Sequence, residues 1–310
     1  MQKVRFIIII SVAVVGLLIG GRALAFSLNK KIFGINDYRV NVNIAPLPQI
    51  NNNDWKPNIL TKAYCLVDVD SAKILIGKNE TTKLPIASTT KIATALVVLE
   101  NYKDHLAETV TITPKMVNVE ETTIKLRVGE KITVENLLDG LLINSGNDAA
   151  YSLAEYFGGK PKFVEEMNQK AVQIGLENTK FQDPAGLSDE GFSTAKELAI
   201  LGSYALRNDK FSQIVRTPEK TIYSTDGRIK HDLINSNRMI RPDESLYLPY
   251  AIGIKTGFTY EAGHVLVSAA QKDNHRIVAV VLNTFEDTKP ASAKESKKLL
   301  EWGLANWVWR

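Results

Sequence analysis

Short alternating runs of apolar and polar residues bracket a long helical middle in this chain. Residues 63–70 and 73–78 read as a strand pair turning at Asp70-Ser71-Ala72, and residues 264–270 and 277–284 as a second pair turning at Lys272-Asp273-Asn274. Between them the apolar spacing becomes helical. From residue 85 to 99, Ile92, Ala93, Ala95, Leu96, Val97, Val98 and Leu99 leave no polar face, so a central buried helix is predicted, with Pro85 suited to its entry turn. A segment opened by Thr133 or Glu135 puts Leu137, Leu138, Leu141 and Leu142 on one face. Residues 148–157 form a second helix, stopped by Gly158-Gly159. Residues 161–175 place Phe163, Val164, Met167, Ala171 and Ile174 inward, residues 194–207 are helical, and 289–309 close the chain as an amphipathic helix. Residues 109–113 and 122–127 are strand-like or irregular, and 221–250 are mixed, with a turn at Asp226-Gly227. Strands at the two ends of one domain around helical insertions predict an α+β class.

The first 60 residues follow neither pattern. Lys3 and Arg5 precede an uncharged apolar run over 6–21, and Ala23-Leu24-Ala25 fits a small-x-small cleavage pattern. Residues 1–25 are therefore expected to be a signal peptide or an N-terminal membrane anchor, with Lys3 and Arg5 on the cytoplasmic side. Arg22, beside the cleavage pattern, leaves both open. Residues 26–60 are polar and broken by Pro46, Pro48, Asn51-Asn52-Asn53 and Pro57, as a spacer would be. The globular domain is expected over 61–310.

Composition narrows the classes. With 310 residues, 45% hydrophobic and 23% charged, the chain can bury one substantial core. Its net charge of +4 comes without a long basic block, so nucleic-acid binding has no support. Cys65 is the only cysteine, which rules out an intramolecular disulfide in an exported chain, and it is expected to pack in a strand. His105, His231, His264 and His275 are scattered without ligand spacing and are expected on surfaces or in turns, so no metal or organic cofactor is called for.

Three polar clusters interrupt the apolar pattern. In Ser88-x-x-Lys91, a serine needs a proton acceptor within reach, and positions i and i+3 share one helix face. Burial would lower the lysine pKa toward the range of a base. The same spacing also serves a helix cap with a surface amine. Ser145-Gly146-Asn147 sets a hydroxyl and an amide on a turn between two apolar helices, and equally fits an interhelical loop with Asn147 as a cap. Lys255-Thr256-Gly257 suits a carboxylate, through charge, hydroxyl and an unobstructed approach, or else a polar edge strand.

Taken in order, the three clusters resemble the signatures of penicillin-binding proteins and serine β-lactamases. The surrounding words, Pro-Ile-Ala-Ser-Thr-Thr-Lys at 85–91, Gly-Leu-Leu-Ile-Asn-Ser-Gly-Asn-Asp-Ala-Ala at 140–150 and Gly-Ile-Lys-Thr-Gly-Phe-Thr at 253–259, are similar to the D-alanyl-D-alanine carboxypeptidases, low-molecular-mass penicillin-binding proteins of the S11 peptidase type. Phe181-x-x-Pro-x-Gly-Leu187 and Glu261-Ala262-Gly263 resemble that family too. The resemblance covers about residues 60–307.

It implies a five-stranded antiparallel sheet flanked by helices, with a mostly helical half, as in β-lactamases and transpeptidases. It also implies roles. Ser88 would attack the carbonyl between the last two D-alanines of a peptidoglycan stem peptide, with Lys91 taking its proton. Ser145 would pass that proton to the departing D-alanine, and Asn147 would orient Lys91 and the substrate. Lys255 and Thr256 would receive the terminal carboxylate beside Gly257, and the backbone N–H groups of Ser88 and Phe258 would hold the oxyanion. β-Lactam antibiotics would acylate the same serine. The implied location is the outer face of the cytoplasmic membrane, or the cell wall, with any membrane contact through the N-terminal segment.

The chain departs from the family in places. Asp183 stands where asparagine is frequent and Phe192 where histidine is, and no second all-β domain is expected after residue 310. A serine β-lactamase needs a placed base to deacylate, for which Glu190 is the nearest candidate; transpeptidase or endopeptidase activity would use the same serine. A penicillin sensor without turnover would need a signalling segment, for which the five residues before the apolar run leave no room.

Overall fold

The computed structural model describes residues 47–51 and 56–309. The segment expected over 1–25 and most of the spacer expected over 26–60 lie outside the described residues. The end of that spacer is not featureless: Gln49–Ile50 pairs antiparallel with Trp307–Val308.

The main sheet has five antiparallel strands, β1 (Thr61–Asp68), β2 (Ile74–Lys78), β3 (Ala251–Thr259), β4 (Gly263–Lys272) and β5 (His275–Thr284), in the order β3-β4-β5-β1-β2. The central strands are buried on both faces, and their residues divide by parity. On β1, Ala63, Cys65 and Val67 face the larger core, while Tyr64 and Leu66 face the other. On β5, Val278, Val280 and Leu282 oppose Ile277, Ala279 and Val281 in the same way. This is the two-residue period of a strand with both faces covered. The register Val280↔Cys65 and Val267↔Val280 keeps those faces in line from strand to strand. Cys65 is fully buried in its strand, as expected.

Helix α7 (Ala291–Asn306) covers one face. The other carries the helical half: α1 (Lys91–Asn101), α2 (Val134–Leu142), α3 (Asn147–Tyr156), α4 (Lys160–Ile174), α5 (Ala195–Ala205) and α6 (Asp209–Val215). Helix α1 is buried from Lys91 to Leu99, because neighbours surround it. Truncating a residue at its centre, such as Leu96, would cost about 2–5 kcal/mol through lost transfer energy and the cavity left behind. Thr133 and Thr194 cap α2 and α5, their hydroxyls accepting from the N–H of Asn136 and Glu197 at 3.1 Å, and Gly175 ends α4 in the left-handed region (φ 84°). Helix α6 and the hairpin of Glu219–Tyr223 with Lys230–Ile234 give residues 209–234 an order that the mixed apolar pattern did not specify.

Two expectations need correction. Ser88 lies in a short 3-10 turn, Ala87–Thr90, and Lys91 is the first residue of α1. A 3-10 turn eclipses i and i+3 more closely than an α-helix does, so Lys91 stands over Ser88 all the same. His231, expected on a surface or in a turn, is buried on the hairpin. Its Nδ1 lies 2.7 Å from the Ile124 carbonyl oxygen and its Nε2 2.6 Å from Glu130 Oε1, so the imidazole ties the hairpin to the segment that leads to α2.

Candidate active site

Three chain segments converge on the Ser88 turn. From α1 comes Lys91, which has no exposed surface. Its amine donates to Ser88 Oγ at 2.7 Å, to Asn147 Oδ1 at 2.8 Å and to the Ala185 carbonyl oxygen at 2.7 Å. All three acceptors are uncharged, so burial dominates and pushes the amine down to about 7, against smaller opposing pulls from Asp183, Glu121 and Asp148. A neutral amine there keeps two N–H donors for Asn147 and Ala185 and turns its lone pair to the Ser88 hydroxyl. That is the arrangement a base needs.

From the α2–α3 junction come Ser145 and Asn147. Ser145 is buried in the left-handed region (φ 66°), a turn geometry that a non-glycine residue adopts only at some cost. Asn147 is held from both sides: its backbone N–H donates to the Thr122 carbonyl at 2.7 Å and its Nδ2 to the Glu120 carbonyl at 2.9 Å, leaving Oδ1 for Lys91. Asp148 fixes the same segment by accepting from the N–H groups of Ile124 and Leu126, each at 3.0 Å.

From the sheet comes β3, whose outer edge is free of strand partners among the described residues. Lys255 is fully buried, and its amine reaches the Thr256 carbonyl oxygen at 3.0 Å and Ser236 Oγ at 3.5 Å. Burial, followed by repulsion from Lys91, holds it well below the usual lysine range. The Thr256 hydroxyl donates to Ser236 Oγ at 2.7 Å. An amine and two hydroxyls gathered in one place without a carboxylate among the described partners make a receptor for an incoming anion, whose charge would favour the protonated form of Lys255.

Glycine at 257 is a steric requirement. A Cβ there would lie 2.8 Å from the Ser88 backbone nitrogen and 3.1 Å from the Ala87 Cβ. Phe258 follows, its ring outside the site and 4.5 Å from His264. On the opposite side Gly186 (φ 80°) touches the same turn, since a Cβ there would lie 1.9 Å from the Ala87 carbonyl oxygen. The Ser88 turn is thus clamped between β3 and the 183–188 loop.

Lys91 is therefore in direct contact with both Ser88 and Asn147, Ser145 is two residues from Asn147 on the same turn, and Lys255, Thr256 and Gly257 form the facing wall. Two further contributors were not singled out in the sequence. Ser236 belongs to the polar run Asn235-Ser236-Asn237, which is tied to β3 by the Ser236 hydroxyl and by Asn237 Nδ2, donating to the Gly253 carbonyl at 3.0 Å. The Ala185 carbonyl carries no mark in the sequence, because every residue has one. Glu190 is exposed, and its carboxylate lies 3.5 Å from Gln182 Nε2. Phe192 pairs with Pro85, and the Lys83 amine sits over its ring at 5.0 Å.

Comparison with known proteins bears on the family and the fold. The family described as D-alanyl-D-alanine carboxypeptidase, peptidase S11, matches residues 50–286. The chain is 35% identical over 243 residues to D-alanyl-D-alanine carboxypeptidase DacF of Bacillus subtilis, a match covering 77% of this chain and 61% of that protein. It is 32% identical over 253 residues to D-alanyl-D-alanine carboxypeptidase DacB2 of Mycobacterium tuberculosis, covering 80% and 84%. Among solved structures, the Streptomyces K15 DD-transpeptidase superposes with a TM-score of 0.75 at 32% identity, over 81% of this chain and 99% of the other.

Proposed function

The chain belongs to the peptidase S11 family of D-alanyl-D-alanine carboxypeptidases, and on that footing we propose that it is a serine-type carboxypeptidase removing the terminal D-alanine from peptidoglycan stem pentapeptides. The observation that carries this reading is the Lys91 amine, wholly buried, 2.7 Å from the Ser88 hydroxyl and held there by Asn147 and Ala185.

In this reading the terminal carboxylate of the substrate binds to Lys255, Thr256 and Ser236, which lays the last peptide bond across Ser88. Lys91 accepts the Ser88 proton as Oγ attacks the carbonyl carbon of the penultimate D-alanine. The oxyanion receives hydrogen bonds from the backbone N–H groups of Ser88 and Phe258, which lie on the two walls that Gly257 lets approach. As the C–N bond breaks, the proton passes from Lys91 through the Ser145 hydroxyl to the leaving amine, and free D-alanine departs. Water then attacks the ester, giving its proton to Lys91, and Ser88 regains one as the acyl group leaves. A penicillin enters the same first step, its β-lactam carbonyl replacing the peptide carbonyl. Residues 1–25 export the chain, so that this chemistry takes place on the outer side of the cytoplasmic membrane.

Incubating the protein with benzylpenicillin and mapping the adduct by mass spectrometry, beside an assay of D-alanine release from a stem pentapeptide, tests the reading. The expected result is a slowly decaying adduct on Ser88, release of D-alanine, and loss of both in Ser88→Ala. Rapid turnover of penicillin would reassign the chain as a β-lactamase, and an adduct without D-alanine release would make it a sensor. Transfer of the acyl group to an added amine in preference to water would make it a transpeptidase.

A further inference from the structure

The loop opposite β3 is built around one carboxylate. Asp183 is 2% exposed, and its Oδ1 accepts from the N–H groups of Ala185 at 2.7 Å, Gly186 at 2.6 Å and Leu187 at 3.2 Å. Its Oδ2 accepts from the Ser188 N–H at 2.7 Å. A buried anion is tolerated when donors surround it, and four backbone donors do so here. The loop it gathers touches the catalytic machinery at three points. The Ala185 carbonyl accepts from Lys91, the Pro184 carbonyl accepts from Thr94 Oγ1 at 2.6 Å one turn further along α1, and Gly186 packs on Ala87.

We propose that Asp183 is the positioning residue of the general base, its carboxylate ordering the 184–188 backbone around Lys91 and placing a buried negative charge on Ala185, the residue whose carbonyl receives the amine. The proposal rests on the reading of Lys91 as the base of the Ser88 reaction.

The charged groups around Lys91 come from every element packed on it. Lys255 on β3 is the facing cation, its own protonation opposed by Lys91, while Asp183 on the loop, Glu121 on the segment before α2 and Asp148 on α3 favour protonation of Lys91. Asp183 is the strongest of the three carboxylates. Glu121 is exposed and screened by water, and Asp148 directs its oxygens to Ile124 and Leu126, away from the amine's acceptors, whereas Asp183 is hydrogen-bonded to Ala185, whose carbonyl receives the amine. The field of Asp183 also reaches Tyr151 on α3, where it adds to burial in pushing the phenol up to about 12. Without this charge the amine would lose its proton at lower pH, and the protonated form, which must deliver a proton to the leaving group, would be harder to reach. The carboxylate thus balances the two halves of the proton transfer, since a base serves best with its pKa near the working pH.

Two charge-removing variants and one charge-keeping variant separate this role from simple loop support. Asp183→Asn retains an oxygen for Ala185, Gly186 and Leu187, Asp183→Ser retains a shorter acceptor, and Asp183→Glu keeps the charge while straining the loop. The full-length wild type and variants are acylated with a chromogenic cephalosporin across pH 5–9, and Lys91 is titrated in parallel by NMR of 13Cε-labelled lysine, its signal assigned by loss in Lys91→Met. The expected result is that Asn and Ser move both the acid limb and the NMR titration down by about half a unit to one unit, while Glu lowers the plateau and leaves both in place. One pH unit below the wild-type limb, Asp183→Asn then retains about three to five times more of its plateau rate than the wild type does. Limbs and titrations unmoved in both Asn and Ser, with acylation persisting, would overturn the proposal and leave the functional reading intact. A titration that moves in a protein forming no adduct at all would overturn the functional reading, and with it the assignment of a base.

Discussion

Acylation of Ser88 should show an acid limb set by Lys91, and its position follows from burial. An ordinary lysine amine, near 10.5, would be neutral in about one molecule per thousand at pH 7.4; at about 7 it is neutral in roughly seven of ten. The gain approaches a thousandfold in available base, or about 4 kcal/mol. Below pH 7 the neutral fraction falls about tenfold per unit, to roughly a tenth at pH 6 and a hundredth at pH 5. The assay is the pseudo-first-order rate of adduct formation with excess benzylpenicillin, quenched at intervals and read by mass. The rate should rise with unit slope from pH 5, bend near 7 and stay level to pH 9. Lys91→Arg places a cation there that does not release its proton, so its rate should fall by about 10² to 10⁴ at every pH. A rate flat from pH 5 to 8, or one still rising at pH 9, would refute the assignment of a desolvated lysine as base.

Three other outcomes follow from the same geometry. Gly257→Ala puts a methyl group 2.8 Å from the Ser88 nitrogen and 2.8 Å from Val265 Cγ2, so acylation should drop by about tenfold or more while the thermal midpoint moves little, as measured by adduct kinetics and calorimetry on one sample. Folding stability should rise with pH between 7 and 9. The unfolded chain binds a proton at Lys91 up to about 10.5 and the folded chain only up to about 7, so the penalty, full below 7, shrinks by about 2 kcal/mol across that window. Lys255 acts with the same sign, and urea titrations of Lys91→Met should show a shallower rise. Burial pushes the Cys65 thiol up to about 12, so iodoacetamide at pH 8 should leave the folded protein unmodified and label it in denaturant.

Much of this site was legible in the chain because side-chain chemistry marks it. Lys91 within an apolar run, hydroxyls at 88 and 145, and Lys255 at the start of a strand-like stretch are residue types that a packed core does not tolerate without a partner. The strands were legible for a similar reason, since residues 63–67 and 277–282 keep the period that a two-faced sheet imposes. What escaped was the work of the backbone. The Ala185 carbonyl and the donors that Asp183 collects belong to peptide groups common to every residue, and only the path of the loop gives them a target. Ser236 escaped because its partner Thr256 is twenty residues away, and His231 because an imidazole fits a buried bridge only once Ile124 and Glu130 have been brought to it.

The order of strands has a consequence in time. Strand β1, from the early part of the chain, is inserted between β5 and β2, and the wall that Lys255, Thr256 and Gly257 build for Ser88 is made more than 160 residues after it. Contacts so distant in sequence form late in folding, after the loop-closure entropy of the helical middle has been overcome. A growing chain therefore carries its serine and lysine for most of its synthesis as an unassembled pair, without the anion receptor or the clamp on the Ser88 turn. The closing of the sheet therefore brings the receptor and the β3 side of the clamp to Ser88 together, and the reactivity proposed for that serine waits on the last-made strands.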